Sequence, residues 1–390
     1  MTTITILGNN SGRNAGDNAI LGNLLRDVSA ELPQAEFLVP TTNPGFIRRH
    51  FGQFKVKPMG LLPWNGCIKN LGWPLCKAMT AADAVLICDN ILFDRNLYNP
   101  LFNYLSSVAL FAPFCKKKGI PLVLYNASVG PIDRPAGKRA LAKVLAATEL
   151  AVIRDQNTKE LLERLALPCP ELHVHADCAL NTAPPPQARM EEIIAKERLF
   201  SNPKGTIGFN VNSYIDNWSK KGSFTRESFC AAIAGAADRV MDELDVDLIF
   251  FITQVMDTKI TKQCVDKIAR QERVRIISNA DYTYEEIAAL LGRVELHSGL
   301  RTHSLIFCAA MHTPMIGIVS YPKSAGFLRT VGQGDWLLPF ADLSADSLAA
   351  MISKAWHERA ATREELARLV PAEKAKARAT AALLKQCLRR

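Results

Sequence analysis

The feature that most constrains this chain is an alternation, run through twice, of short apolar stretches and helix-patterned segments. In the first half the stretches are "TITILG", "EFLVP", "AVLICD" (84–89), "PLVLYNASVG" (121–130) and "LAVIRD" (150–155), closed by "ELHVHAD". Helical patterns separate them around 17–32, 101–117, 136–147 and 157–166. Runs this continuously apolar suit strands covered on both faces, which predicts parallel sheets with helices on either side. A second series follows: "TIGFNVN" (206–212), "DLIFFITQ" (247–254), "VRIISN" (274–279), "VELHSG" (294–299) and "PMIGIVS" (314–320). Between the two lies a proline-rich, charged stretch, 181–205, that reads as a linker. The expected fold class is α/β, with two doubly wound Rossmann-like domains facing a cleft. The expected divisions are an N-terminal domain over 1–182, a linker over 183–205, a C-terminal domain over 206–360 and a C-terminal helix over 361–390. Two long helices are expected to finish the chain.

At 390 residues, 48% hydrophobic and 22% charged, the chain can bury two cores. Its longest apolar candidate, "LSSVALFAPFC", stops at Lys116–Lys118, short of the ~20 residues of a membrane span. The N-terminus enters a strand directly, without a basic region followed by an apolar core, so a cytoplasmic location is expected. The ten cysteines are scattered without a C-x-x-C pair and are expected to be reduced thiols. "HVHAD" places His173 and His175 on one strand face; zinc ligation and polar decoration are both open, but no third ligand is evident. No metal and no cofactor are expected.

The net charge of +9 points to an acidic partner. Nucleic acid is not expected, because the basic residues form no stripe with interleaved aromatics. An anionic small substrate, an anionic membrane surface, or both fit better. The densest basic cluster is the C-terminal "EKAKARATAALLKQCLRR", which reads equally as a peripheral membrane contact at the inner face or as a solvated helix end.

In doubly wound sheets, ligands bind beyond the carboxyl ends of the strands. The first such loop lies in "ILGNNSGRNAGDNAIL" (6–21). Its glycines, at 8, 12 and 16, do not follow the dinucleotide spacing, and the second strand ends in Val39-Pro40 where an NAD site would place an acid. Asp17 at the helix start would repel a pyrophosphate. Flanked by Asn14 and Asn18, Asp17 suits sugar hydroxyls, and Asn14 and Gly16 of the same loop are assigned to substrate. Asn126 and Ser128, in "YNASVGPI", are suited to sugar hydroxyls or to shaping their loop. Arg154 follows a strand and is expected to face the cleft; Asp155 is expected to cap the next helix.

"VELHSGLRTHSLIFCAAM" is the sharpest segment. A strand ends at His297-Ser298, Gly299 allows the turn, and a helix begins near Arg301. Arg301 and His303 then sit in its first turn beside free backbone N–H groups, a set of donors suited to an anion. Two readings stand: an anion site, or Arg301 paired with a domain carboxylate and His303 capping the helix. One strand along, "SYPKSAGFLRTVG" offers Lys323 as a further cation and Tyr321 as a hydroxyl. No G-x-S-x-G elbow, Walker loop or paired-carboxylate motif is evident in the sequence, which counts against hydrolases and kinases.

"N-x-G-D-x-A-I-L" after the first strand, "GPI" at the fourth, "R-D" at the fifth, and "R-x-H" followed by "P-x-I-G-I-x-x-Y-x-K" resemble the polysaccharide pyruvyl transferase family over roughly residues 4–335. Thr302 departs from the aliphatic residue usual between the Arg and the His. The resemblance implies a GT-B-like fold and transfer of the enolpyruvyl unit of phosphoenolpyruvate onto two hydroxyls of a glycan sugar, giving a pyruvate ketal in surface polysaccharide biosynthesis. It implies phosphoenolpyruvate held by Arg301, Lys323 and Arg154, His303 as the acid, Asp17 orienting or deprotonating the acceptor, and a glycan acceptor carried on lipid. A GT-B nucleotide-sugar glycosyltransferase is the main alternative, and "GIVSYPK" lacks the carboxylate that would hold its ribose. A non-catalytic glycan-binding protein is the other.

Overall fold

The computed structural model describes residues 2–61, 72–97, 104–215, 225–319 and 322–389. It divides into two compact units.

The first unit comprises Met1–Gly12, Asp17–Cys178 and Lys374–Arg390. Its chain order opens with β1 (Thr3–Leu7), α1 (Ala15–Glu31), β2 (Glu36–Thr41), α2 (Pro44–Phe51) and β3 (Val56–Gly60). It continues with α3 (Trp73–Thr80), β4 (Ala84–Ile87), α4 (Tyr104–Lys117) and β5 (Leu122–Ala127). It closes with α5 (Pro135–Leu145), β6 (Thr148–Ile153), α6 (Gln156–Leu165) and β7 (Leu172–Val174). All seven strands are parallel, in the order β3-β2-β1-β4-β5-β6-β7. β4 and β5 are buried at every position, which is why they read as unbroken apolar runs. Leu75, Met79, Phe111, Cys115, Leu141 and Val144 from α3, α4 and α5 pack with Val85, Ile87 and Leu124 into one core.

The second unit comprises Arg13–Gly16 and Ala179–Glu373. It contains α7 (Gln187–Glu197), β8 (Thr206–Asn210), α8 (Arg226–Leu244), β9 (Asp247–Ile252), α9 (Thr258–Val265) and β10 (Val274–Ser278). Then come α10 (Tyr284–Leu291), β11 (Leu296–Gly299), α11 (Thr302–Ala310), β12 (Met315–Val319), α12 (Pro322–Thr330) and β13 (Leu337–Pro339). Its parallel sheet runs β10-β9-β8-β11-β12-β13. Strand order therefore reverses between β1 and β4 in one unit and between β8 and β11 in the other. Those reversals open a crevice at the carboxyl ends of the strands, where such sheets hold ligands.

Two expected features take a different form. The stretch 183–205 contains α7, which buries Met190 and Ile193 and pairs Arg189 with Glu286 at 2.7 Å, so it is packed structure within the second unit. The chain finishes with one helix, α13 (Ala345–Cys387), where two were expected. Pro371 lies inside it. Leu366, Val370, Ala377, Ala381 and Leu384 are buried on both sides of the proline, and their spacing keeps a single apolar stripe running through it. That burial outweighs the one hydrogen bond the proline removes. No helix among the described residues is long and apolar enough to cross a membrane.

Candidate active site

In the second unit the loop after β11 leads straight into α11, with Arg301 as the N-cap residue. Its backbone N–H donates to Asn210 Oδ1, at the end of β8, at 2.9 Å. The guanidinium is held from two sides. Nε and Nη2 donate to Asp257 Oδ2 and Oδ1 at 2.8 and 2.7 Å, and the Tyr214 ring centroid lies 5.2 Å from Cζ. Asp257 is fully buried and also accepts from the Ser213 N–H at 2.9 Å. Of the two readings of Arg301, the pairing with a domain carboxylate is thus present. The two-point grip is made to Asp257, which leaves the Nη1 side of the fork as the part able to meet a ligand.

A second set of bonds fixes the first turn of α11. Ser304 Oγ donates to the Arg301 carbonyl at 2.8 Å and lies 3.1 Å from His297 Nε2. Burial drives the His297 pKa down to about 3, so this imidazole is neutral and serves as a fixed hydrogen-bonding post. Thr302, the departure from the family pattern, lies 2.7 Å from Ser324 Oγ and ties α11 to the start of α12. Lys323, half-buried, is the neighbour of Ser324 in that first turn.

The segment Arg13–Gly16 lies along β9's exit in this same unit. Ala15 N–H donates to the Thr253 carbonyl at 2.8 Å, and Val255 N–H to the Arg13 carbonyl at 3.1 Å. Asn14 forms an antiparallel bridge with Gln254, and Asn279 Nδ2 donates to the Arg13 carbonyl at 2.9 Å. Asn14 Oδ1 takes the Gly16 N–H at 2.8 Å, so its side chain caps the helix start. The His303 ring lies directly over Gly16. A Cβ there would come within 2.1 Å of His303 Cγ and 2.2 Å of Nδ1, which makes glycine the residue that fits.

The first unit carries a buried charged cluster at its own strand reversal. Asp17, in the first turn of α1, takes Asn9 Nδ2 at 2.5 Å and is hydrogen-bonded to Asp89. Burial, then the charge of Asp89, push the Asp17 carboxyl well above the usual carboxylate range, so it holds a proton where an exposed aspartate would not. Asp89 follows β4 with φ of 62°, a left-handed conformation that aspartate tolerates better than most residues. Arg154 Nη1 donates to Asp177 at 2.6 Å, and its Nη2 is 3.9 Å from Asp89. Burial works against its charge, and Asp177 with Asp89 more than offsets that, so the guanidinium stays ionised.

Other residues named from sequence meet internal partners. Asn126 is buried, donating to the Ala377 carbonyl at 3.2 Å and accepting from Thr380 Oγ1 at 2.5 Å. Ser128 is buried and donates to Asp155 at 2.7 Å, while Asp155 caps α6 by accepting from the Thr158 N–H. These are the bonds of loop shaping. His175 Nδ1 lies 2.8 Å from Thr380 Oγ1, and no group of three metal-ligating side chains occurs among the described residues. Tyr321 lies outside the described residues. Sequence reasoning missed Asp257 outright; Asp89, directly after a strand, and Asp177, in the "HVHAD" cluster, carried a signal but were given no role in the site.

Comparison with known proteins adds a family and a fold. A family model described as polysaccharide pyruvyl transferase matches residues 14–321. Among solved structures, the chain is similar to UDP-GlcNAc 2-epimerase from Neisseria meningitidis bound to UDP-GlcNAc. The TM-score is 0.68, with 8% identity and 100% of both chains covered. It is also similar to a glycosyltransferase from Rickettsia africae, with TM-score 0.62, 13% identity and coverage of 100% and 99%. A third is Anabaena HepE in complex with UDP-glucose, with TM-score 0.60, 14% identity and coverage of 100% and 98%. At these identities the likeness is one of fold: two Rossmann-like domains, as in GT-B glycosyltransferases and these epimerases.

Proposed function

Because the chain belongs to the polysaccharide pyruvyl transferase family, we propose that it moves the enolpyruvyl unit of phosphoenolpyruvate onto two hydroxyls of a glycan sugar, with no cofactor or metal taking part. The observation that carries this reading is the Arg301–His303 turn at the N-terminus of α11, beside Lys323. It supplies a guanidinium edge, an ammonium and backbone N–H groups suited to a compact polyanion. His303 is assigned as the acid that protonates the methylene carbon. A sugar hydroxyl then adds to the resulting cationic C2, phosphate leaves, and the second hydroxyl closes the ketal. Two hydroxyl protons are released: one balances the proton placed on carbon, and the other leaves on the departing phosphate.

The Asp17–Asp89 pair is assigned to the acceptor. With Asp17 holding its proton, the pair can both donate to and accept from an acceptor hydroxyl and so orient it. Arg154 spends its charge on Asp177 and Asp89, so its role moves from donor binding to holding that pair. The acceptor class, a lipid-linked surface glycan, rests on the family alone. The test is incubation of the purified protein with phosphoenolpyruvate and an extract of lipid-linked glycans. Phosphate release that requires the glycan is expected. Consumption of a UDP-sugar, with phosphoenolpyruvate untouched, would instead favour a glycosyltransferase.

A further inference from the structure

The three most exposed large apolar side chains among the described residues all lie on two neighbouring helices of the first unit. They are Trp73 (65% exposed) on α3, with Leu110 (55%) and Phe114 (56%) on α4. Leu110 and Phe114 are four apart, so they share the outward face of α4 while Val108, Phe111, Ala112 and Cys115 face the core. Gly72, the N-cap of α3, comes up against Phe111: a Cβ there would lie 3.5 Å from its ring. That contact seats the start of α3, and Trp73 with it, beside α4.

The helices of this surface carry side-chain charge of one sign. α3, α4 and the adjoining α5 contain no Asp or Glu. Lys77 is exposed on α3, and Lys116, Lys117 and Lys118 are exposed at the end of α4. Among the described residues none of these four lysines is in an ion pair, and Lys116 reaches the Ala146 carbonyl at the end of α5 at 2.6 Å. Lys118 is close enough to act on both Cys76 of α3 and Cys115 of α4, which places its charge at the junction of the two helices.

We propose that the α3–α4 face is the surface by which this protein docks on a bilayer rich in anionic lipid, with Trp73, Leu110 and Phe114 entering the headgroup boundary and the lysines meeting the headgroup charge. Tryptophan and phenylalanine flanked by lysine are the composition of interfacial helices. Lysine is depleted from the cores of protein–protein interfaces, which favours lipid over a protein partner here. The C-terminal helix, with the densest basic cluster in the sequence, lacks the apolar half of such a surface. Its Ala377, Ala381 and Leu384 are buried, and Lys385 pairs with Glu31 at 2.9 Å. The inference does not depend on which group the protein transfers.

Flotation of the full chain with phosphatidylcholine vesicles, and with an equal mixture of phosphatidylcholine and phosphatidylglycerol, tests it. Binding is expected to the mixed vesicles and not to the neutral ones. The double variant Leu110→Ser/Phe114→Ser is expected to lose at least about tenfold in partitioning. Lys77→Gln/Lys117→Gln is expected to lose about 25-fold, at roughly fivefold per lysine. All four positions are exposed, so melting curves should match wild type, and Lys376→Glu/Arg378→Glu on α13 should float as wild type does. Absence of wild-type binding, or patch variants that bind normally, would overturn the proposal. So would light scattering that shows a dimer dissociated by Leu110→Ser, since the face would then be a contact between copies of the chain.

Discussion

Asp257 closes both oxygens on the Nε–Nη2 edge of Arg301, at 2.8 and 2.7 Å, from a position with no solvent exposure. The pair fixes which side of the guanidinium is left for a ligand. Asp257→Asn keeps one acceptor oxygen but removes the charge, and a buried charge that loses its partner is costly. The variant is expected to lose about 2–3 kcal/mol of stability, read by denaturant unfolding. Its KM for phosphoenolpyruvate should rise more than its kcat falls, because the loosened fork still carries its charge. An unchanged KM would show that Arg301 serves only the fold.

Gly16→Ala tests the contact with His303. The added methyl has no room unless the imidazole moves. A reacting group displaced by about 1 Å costs on the order of 10²-fold in rate. A fall of that size in kcat, with phosphoenolpyruvate affinity by calorimetry largely kept, is expected. Normal turnover would mean that the position of His303 over Gly16 has no bearing on the chemistry.

Asp17→Asn has a pH signature. The Asp17 pKa is raised in the folded protein above its ordinary value of 3.8, so the native state holds a proton that the unfolded chain has released. That contribution is fully present below the ordinary value and is lost as pH rises through the folded pKa. Wild type should therefore lose stability relative to Asp17→Asn as pH climbs from about 4, and the variant's melting curve should be flatter over that range. Parallel pH profiles would show that Asp17 has no raised pKa. In turnover, the variant should keep phosphoenolpyruvate binding and fail with the acceptor.

His303→Ala should fold normally and bind phosphoenolpyruvate while turning over about 10²–10⁴-fold more slowly, the usual contribution of a general acid. Phosphate release near the wild-type rate would remove His303 from the reaction.

Which parts were legible in sequence follows from where the information lies. Strands buried on both faces, such as β5 and β8, carry their signal in their own residues. The α11 turn was readable because strand end, glycine and helix start are contiguous. Asp257 was not, since a lone aspartate ending the short 3-10 turn before α9 gives no sign of an arginine 44 residues away. The packing of Arg13–Gly16 within the second unit was equally hidden. It is made largely through backbone groups, which leave no mark on residue type. Pro371 reads as a stop in the C-terminal segment, and only the burial on both sides shows why the helix continues.

The proton that His303 is assigned to deliver can be followed directly. Turnover of unlabelled phosphoenolpyruvate and glycan in deuterated water, with the product analysed by mass spectrometry, should give a ketal whose methyl group carries a single solvent deuterium, and His303→Ala should give almost no ketal. A phosphate-releasing reaction that leaves no pyruvate on the glycan, or labelled ketal formed at the wild-type rate by His303→Ala, would contradict the assignment.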